Sequence, residues 1–293
     1  MALLSLQQIH KTFEKGTVNE NHVLRGLDLD IEQGDFISVI GGNGAGKSTL
    51  MNSIAGVLSI DEGDILLEGQ SIKKASVDER SKDISRVFQD PRMGTATNLS
   101  IEENMAIAYR RGKKRSFFKK SITESERQVF KEALIDLGLG LENRMKTDAN
   151  FLSGGQRQAL TLAMATLVRP KILLLDEHTA ALDPKTSDMV MNLTRKIVEE
   201  QELTTLMITH NMEHAIEYGN RLVMLYHGKI VVDVRGEEKK NLTVAELMDL
   251  FHKNSGQVLM TMPWCSVNKQ KKKLSKVQIL GSFFLTIFDQ VLK

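Results

Sequence analysis

"DFISVIGGNGAGKSTLMNSIAGVL", residues 35–58, changes its period halfway along. Phe36 to Ile40 is a short β-branched run that reads as a strand; it stops at Gly41, and from Lys47 onward the apolar residues recur with helical spacing. Between the two lies "GGNGAGKS", Gly41 to Ser48: a glycine, four residues, then Gly46, Lys47 and a hydroxyl, in the strand-to-helix setting that the phosphate-loop pattern requires. The glycines let successive backbone N–H groups curl around an anion, the following helix adds the positive end of its dipole, and Lys47 reaches terminal phosphates. Gly41, Asn43, Gly44, Ala45, Gly46 and Lys47 would therefore line a bound nucleotide. Ser48 can give an oxygen to Mg²⁺ and Thr49 a phosphate hydrogen bond. A glycine-rich turn with an incidental lysine is the competing reading, and the flanking strand and helix argue against it.

A nucleotide site needs acids as well, and "ILLLDEHTAALD", residues 172–183, supplies them. Four apolar residues bury as a central strand and deliver Asp176 and Glu177 at its carboxyl end, where open α/β sheets bind ligands. Asp176 is expected in the Mg²⁺ shell; Glu177, one residue on, would face and activate the water that attacks a γ-phosphate. His178 follows at once, and a histidine beside two acids invites a metal-site reading. Mg²⁺ prefers oxygen, however, so His178 is expected to be a turn residue without direct chemistry.

The remaining text alternates strands and helices. "ALLSLQQIHKTF" and "HVLRGLDLDIEQG" read as strands around a turn, "EGDILLEGQSI" as a hairpin and "DISRVFQD" as a further strand. From about Ile101 to Asn150 the text is helical, broken by "RRGKKRSFFKK". Then come a helix in "GQRQALTLAMATLVRP", the strand "KILLLDE", a helix from Pro184, the strand "TTLMITH", a helix in "MEHAIEYG" and a closing hairpin "RLVMLYHGKIVVDV". Alternation on both sides of a helical block argues for an α/β core carrying an inserted helical subdomain.

"LSGGQRQ", Leu152 to Gln158, discriminates among phosphate-loop proteins. Ser153 and two glycines at a helix start make a second anion-binding N-terminus, which one such ATPase does not need for its own nucleotide. A second phosphate site implies a second subunit. With this text the chain resembles the ABC ATPase family, and specifically the nucleotide-binding subunit of ABC transporters, from about Leu3 to about Phe251. The resemblance implies a phosphate-loop NTPase core of ABC type with an N-terminal antiparallel β subdomain and the helical insert at about 95–160, the whole domain covering 1–255. It implies two copies docked head to tail around two Mg·ATP, with Ser153, Gly154, Gly155 and Gln156 of one copy capping the nucleotide held by the other. It assigns Phe13 to stacking on adenine, Gln89 to Mg²⁺ and the attacking water, Asp183 to a loop crossing the dimer interface and His210 to the γ-phosphate. Glu177, His210, Gln89 and Lys47 are thus the expected catalytic set, and Ser48, Gln89 and Asp176 the expected metal set. Partners would be an integral membrane permease, touching the groove near Gln89 to Met105, and an extracellular solute-binding protein, placing the chain peripherally on the cytoplasmic face of the membrane.

Composition narrows the alternatives. The chain has 293 residues, 41% hydrophobic and 26% charged, the profile of a globular protein, and a formal charge of +2 carries no signal of nucleic acid. One cysteine, Cys265, rules out an internal disulfide and a thiolate zinc site. The N-terminus lacks the long apolar region of a secretory signal, so the chain is expected inside the cell, and no run reaches the roughly 20 apolar residues a membrane span needs. "RRGKKRSFFKK" is read as a solvated loop of the insert rather than a nucleic-acid or lipid surface. Residues 256–293 stand outside the domain: interfacial, disordered and non-native readings are all open, the last because the text from about Val258 resembles nothing in the family. Uptake of a small organic solute, such as an amino acid, is favoured over export, and "EHTAALD", without proline after the glutamate, resembles a subgroup linked to such uptake. A soluble ATPase of iron–sulfur cluster assembly is the alternative.

Overall fold

The computed structural model describes residues 2–113 and 122–255; the readings made for residues 114–120 and for the tail 256–293 lie outside them. Two sheets organise the chain. Strands β1 (Leu4–Phe13), β2 (Asn21–Ile31), β4 (Glu62–Leu67) and β5 (Gln70–Ser71) form an antiparallel sheet in the order β2-β1-β4-β5. Strands β3 (Phe36–Gly41), β6 (Ile84–Val87), β7 (Ile172–Asp176), β8 (Thr204–Ile208), β9 (Arg221–Tyr226) and β10 (Lys229–Arg235) form the second sheet, in the order β10-β9-β3-β8-β7-β6. Its strands are parallel except for β10, which closes a hairpin on β9.

The parallel sheet is buried on both faces, and so its strands read as unbroken apolar runs. Alternation sorts them: Ile172 and Leu174 of β7, Leu206 and Ile208 of β8, and Val223 and Leu225 of β9 pack toward the antiparallel sheet, together with helix α1 (Lys47–Ile54). Leu173, Leu175 and Met207 point the other way, into a core built from α3 (Ile101–Tyr109), α4 (Glu124–Ile135), α5 (Gly154–Thr166) and α6 (Pro184–Glu200). Ile40, Leu222 and Met224 meet a third cluster that includes Ala215 of α7 (Met212–Glu217) and Leu247 and Phe251 of α9 (Val244–Ser255). All four apolar residues of β7 from Ile172 to Leu175 are fully buried, each contributing roughly 1.5–3 kcal/mol of transfer free energy. Short helices α2 (Val77–Arg80) and α8 (Gly236–Lys240) complete the inventory of described helices, apart from single 3₁₀ turns. No described helix is long and apolar enough to cross a membrane.

The block read as helical to Asn150 is helical only to Ile135. "DLGLGLEN" ends it: Gly138 and Gly140 take φ of +66° and +70°, left-handed values that terminate a helix. The segment continues as 3₁₀ turns, tied to the start of α3 through Ile101 N–H to Thr147 O at 3.0 Å and a bridge between Ser100 and Asp148. The basic stretch is also only partly the solvated loop expected. Arg111 turns inward, its guanidinium donating to Ala165 O at 3.0 Å, to Val168 O and to Ser85 Oγ, at the C-terminal end of α5.

Arg111 is one case of a device used repeatedly. Arg80 donates to Ser53 O and Ile54 O at 2.7 and 2.9 Å at the end of α1, and Lys239 Nζ donates to Ile216, Tyr218 and Gly219 carbonyls at 2.8–2.9 Å at the end of α7. The last carbonyls of a helix have no intrahelical donor and carry its negative pole, so a cation there satisfies both. Burial without a carboxylate partner pushes Lys239 down to about 8 and lowers Arg80 and Arg111 from the usual guanidinium value. Arg221, 2% exposed, instead takes carboxylates: a forked pair with Asp233 at 2.8 and 2.6 Å, while its Nη1 donates to Asp30 O, tying β9 and β10 to β2.

Candidate active site

Four adjacent parallel strands, β3, β8, β7 and β6, run in that order across the sheet and end on Gly41, Ile208, Asp176 and Val87. The residues singled out in the sequence follow directly: Lys47 after β3, His210 after β8, Asp176 and Glu177 at the end of β7, Gln89 after β6. Parallel pairing puts all these carboxyl ends along one edge of the sheet, where a doubly covered α/β sheet opens to ligands.

The phosphate loop is shaped by a close approach. A Cβ on Gly41, whose φ is +156°, would stand 2.4 Å from the Leu225 carbonyl oxygen, a backbone contact that cannot yield. Lys47, 6% exposed, folds over the loop, its Nζ donating to Gly41 O at 2.7 Å and Gly42 O at 3.2 Å. Burial lowers its pKa, while the charges of Glu177 and Asp176 act to raise it; all three groups share one electrostatic pocket. The helix behind the loop lacks a side-chain cap, since Gly46 is its N-cap residue. The other described helices of eight or more residues are capped by Ser100, Thr123, Ser153, Asp183 and Thr243. At the phosphate loop alone among these long helices, the first-turn N–H groups are left for a ligand.

On the next strands, His210 Nε2 meets Glu177 Oε1 at 2.5 Å. Glu177 has φ of +46°, a left-handed value that costs a non-glycine residue free energy and is found at functional turns. It is held there by Glu177 N–H to Ile208 O at 3.1 Å and Ala180 N–H to Glu177 O at 2.9 Å. His178 faces away from this pocket. It is 2% exposed, with Nε2 3.0 Å from Thr194 Oγ1, whose own hydrogen goes to Val190 O at 2.8 Å. Thr194 must then accept, so Nε2 carries a proton. Burial, with the charge of His214, pulls the His178 pKa down to about 4.

Asp176 has a partner that sequence reasoning missed. Arg86 Nη2 donates to Asp176 Oδ2 at 2.5 Å, and Nη1 to Asn52 Oδ1 of α1 at 2.6 Å. No motif marks Arg86; the one available signal was a charge inside an otherwise buried strand that pairs directly with β7. The oxygens expected around Mg²⁺, from Ser48, Gln89 and Asp176, suit a hard divalent cation. In the structure the counter-charge of Asp176 is Arg86.

Two predicted sets stand apart from this pocket. Ser153 and Gln156 form a reciprocal capping box, Gln156 N–H to Ser153 Oγ at 3.3 Å and Ser153 N–H to Gln156 Oε1 at 3.2 Å. A Cβ on Gly155 would lie 2.3 Å from Thr186 Cγ2, and one on Gly154 3.3 Å from Leu182 Cδ2. The "LSGGQ" turn therefore packs against the start of α6, where Asp183 caps the helix through Thr186 N–H at 3.1 Å; hydrogen bonding from the Thr186 side chain first, and from its N–H second, lowers the Asp183 pKa. Phe13, at the end of β1, is 37% exposed with Lys11 Nζ 5.8 Å from its ring centre, so it is a surface ring rather than a core residue. Gln89 is exposed.

The family model described as ABC transporter matches residues 24–180. The chain belongs to the ABC transporter family. A tyrosine transport ATP-binding protein of Clostridioides difficile is 44% identical over 249 residues, 85% of this chain and 98% of that protein. A phosphonates import ATP-binding protein of Lactobacillus gasseri is 33% identical, over 87% of this chain and 95% of its own length. Among solved structures, the ATP-binding cassette MJ0796, a dimer in a post-hydrolysis state bound to ADP and Pi, superimposes with a TM-score of 0.67 at 30% identity, covering 79% of this chain and 98% of its own. The chain is thus an ATP-binding ABC ATPase with a phosphate-loop core, and the resemblance drawn from "LSGGQRQ" holds. The fold expected from it, an α/β core with an antiparallel β subdomain and helices, is the one observed.

Proposed function

We propose that this chain is the energy-coupling subunit of an importer for a small organic solute, an amino acid with an aromatic side chain foremost. The observation that carries the catalytic part is the convergence of Lys47, His210, Glu177, Asp176 and Gln89 on the ends of four neighbouring strands. Lys47, with the N–H groups of Gly41 to Thr49, holds the phosphates; Glu177 takes a proton from, or orients, the attacking water; His210 fixes Glu177 and reaches the γ-phosphate. Mg²⁺, held through Ser48, Gln89 and Asp176, supplies neutralisation of phosphate charge. Phe13 offers its exposed ring to adenine, and Phe13→Ala is expected to weaken nucleotide binding roughly five- to tenfold by equilibrium titration.

Ser153, Gly154, Gly155 and Gln156 serve the partner copy's nucleotide, with Asp183 crossing between copies. Their packing against Leu182 and Thr186 supports this reading, because it joins signature and crossing loop into one surface. We take residues 1–255 as the ATPase domain and about 95–160 as its helical insert. The permease docks against Gln89 to Met105, where Met93 is 70% exposed; the same segment is tied through Thr97 O to Asn150 N–H at 2.9 Å, next to the 73% exposed Phe151. Such docking sets the chain peripherally on the cytoplasmic face of the membrane, beneath a permease fed by an extracellular solute-binding protein.

The substrate class rests on the relative named for tyrosine transport. Cells lacking this chain are expected to lose uptake of radiolabelled tyrosine, with wild type restoring it and Glu177→Gln failing to. Unchanged tyrosine uptake together with lost phosphonate uptake would overturn the amino-acid assignment and leave the importer reading standing.

A further inference from the structure

Arg86 lies three residues before Gln89 and joins three parts of the nucleotide site. Its guanidinium spans Asn52 on the phosphate-loop helix and Asp176 on β7, at 2.6 and 2.5 Å, and covers the Phe88 ring at 4.8 Å. Both partners of the ion pair are 14% exposed, and Arg86 Nε is buried without a hydrogen-bond partner. The Arg86 guanidinium donates to side chains and not to helix-end carbonyls, the use the fold makes of Arg80 and Arg111. It is there for the carboxylate.

Resting on the reading of Asp176 as a metal-shell residue, we propose that Arg86 competes with the divalent metal for Asp176, holding that carboxylate until a metal–nucleotide complex displaces it. The physical basis is charge. Without metal, Asp176 is a half-buried anion that needs a counter-charge, and the Arg86 guanidinium supplies it. A divalent cation brought to the same carboxylate meets a positive guanidinium, and the two cannot both keep their closest approach. The competition makes the metal-free site neutral and defined, and it raises the metal concentration needed to fill it. Displacement also reaches beyond the site. Arg86, Phe88 and Gln89 share one strand end, and Gln158 of α5 donates to Phe88 O at 3.3 Å, so the released guanidinium loosens its stack on the segment that leads to Gln89.

The test is Mn²⁺ binding by electron paramagnetic resonance on the full chain, with and without a non-hydrolysable ATP analogue, beside binding of the analogue in EDTA. Arg86→Gln is expected to lower the half-saturating free Mn²⁺ roughly three- to tenfold, the competing state having been removed. Its affinity for the analogue in EDTA should stay unchanged. Asn52→Ala keeps every charge and removes the second anchor; it is expected to shift the half-point the same way by roughly two- to threefold. It also serves if Arg86→Gln fails to fold. A half-point unmoved or raised in Arg86→Gln overturns the competition and makes Arg86 an orienter of Asp176. A shift in Arg86→Gln with none in Asn52→Ala assigns the effect to net charge and overturns the proposal likewise. A wild-type chain that binds neither analogue nor metal overturns the reading of the site, and this inference with it.

Discussion

Glu177→Gln should lower the ATP turnover of the purified chain by at least about 100-fold, the range over which a positioned general base contributes, while leaving ATP binding intact. The amide has the size of the carboxylate and can still bond to His210, which sits 2.5 Å from Glu177 Oε1. It cannot take a proton. The backbone at φ +46° places the side chain, and glutamine tolerates that conformation no worse than glutamate, so the fold should be unchanged by circular dichroism. Losing chemistry without losing binding has a second consequence. If ATP closes two copies and hydrolysis opens them, the variant should accumulate as an ATP-dependent dimer in size-exclusion chromatography with light scattering, whereas wild type returns to monomer as ATP is consumed. A loss of turnover under about fivefold would take the role of base away from Glu177 and leave the Glu177–His210 pair a structural contact.

What could be read from the sequence was what repeats or what binds phosphate. The strands of the parallel sheet announced themselves because both faces are buried, and β7 shows why: Ile172 and Leu174 serve one core and Leu173 and Leu175 the other. Strand order was not legible. That β3 lies between β8 and β9 follows from tertiary pairing, and only this order sets Lys47, His210 and Glu177 side by side. Helix starts were present as the pattern of serine or threonine followed three residues later by glutamate or glutamine, at Ser76, Ser100, Thr123, Ser153 and Thr243. Attending to it would have marked Ser153 and Gln156 as a capping box as well as a phosphate site. The overlong helix near residue 150 came from weighing apolar spacing above the glycines at 138 and 140. Arg86 could not be found from spacing at all, because its meaning depends on Asp176, ninety residues away in the chain.

His178, which in sequence stands among the acids, belongs to stability, and acid should expose that role. In the folded chain its pKa is about 4, from burial first and the charge of His214 second, against an ordinary 6.5. Between those values the unfolded chain takes up a proton that the folded chain refuses, so stability falls as pH drops through the window from 6.5 to 4 and is unaffected by this group above it. The loss from pH 7 to pH 5 amounts to about 2 kcal/mol. His178→Gln keeps an N–H near Thr194 Oγ1, whose acceptor role is fixed by its bond to Val190 O, and removes the titration. Urea unfolding of wild type and variant at both pH values separates this term from the carboxylates, which titrate alike in the two proteins. The difference in stability between them should change by about 2 kcal/mol in favour of the variant on going to pH 5. ATP turnover of the variant at pH 7.5 should remain within about twofold of wild type, because the ring is buried against Thr194 of α6. A parallel pH dependence in the two proteins would mean that the folded chain accepts a proton on His178 as readily as the unfolded one. A collapse of turnover in a folded, ATP-binding variant would return His178 to the chemistry of the site.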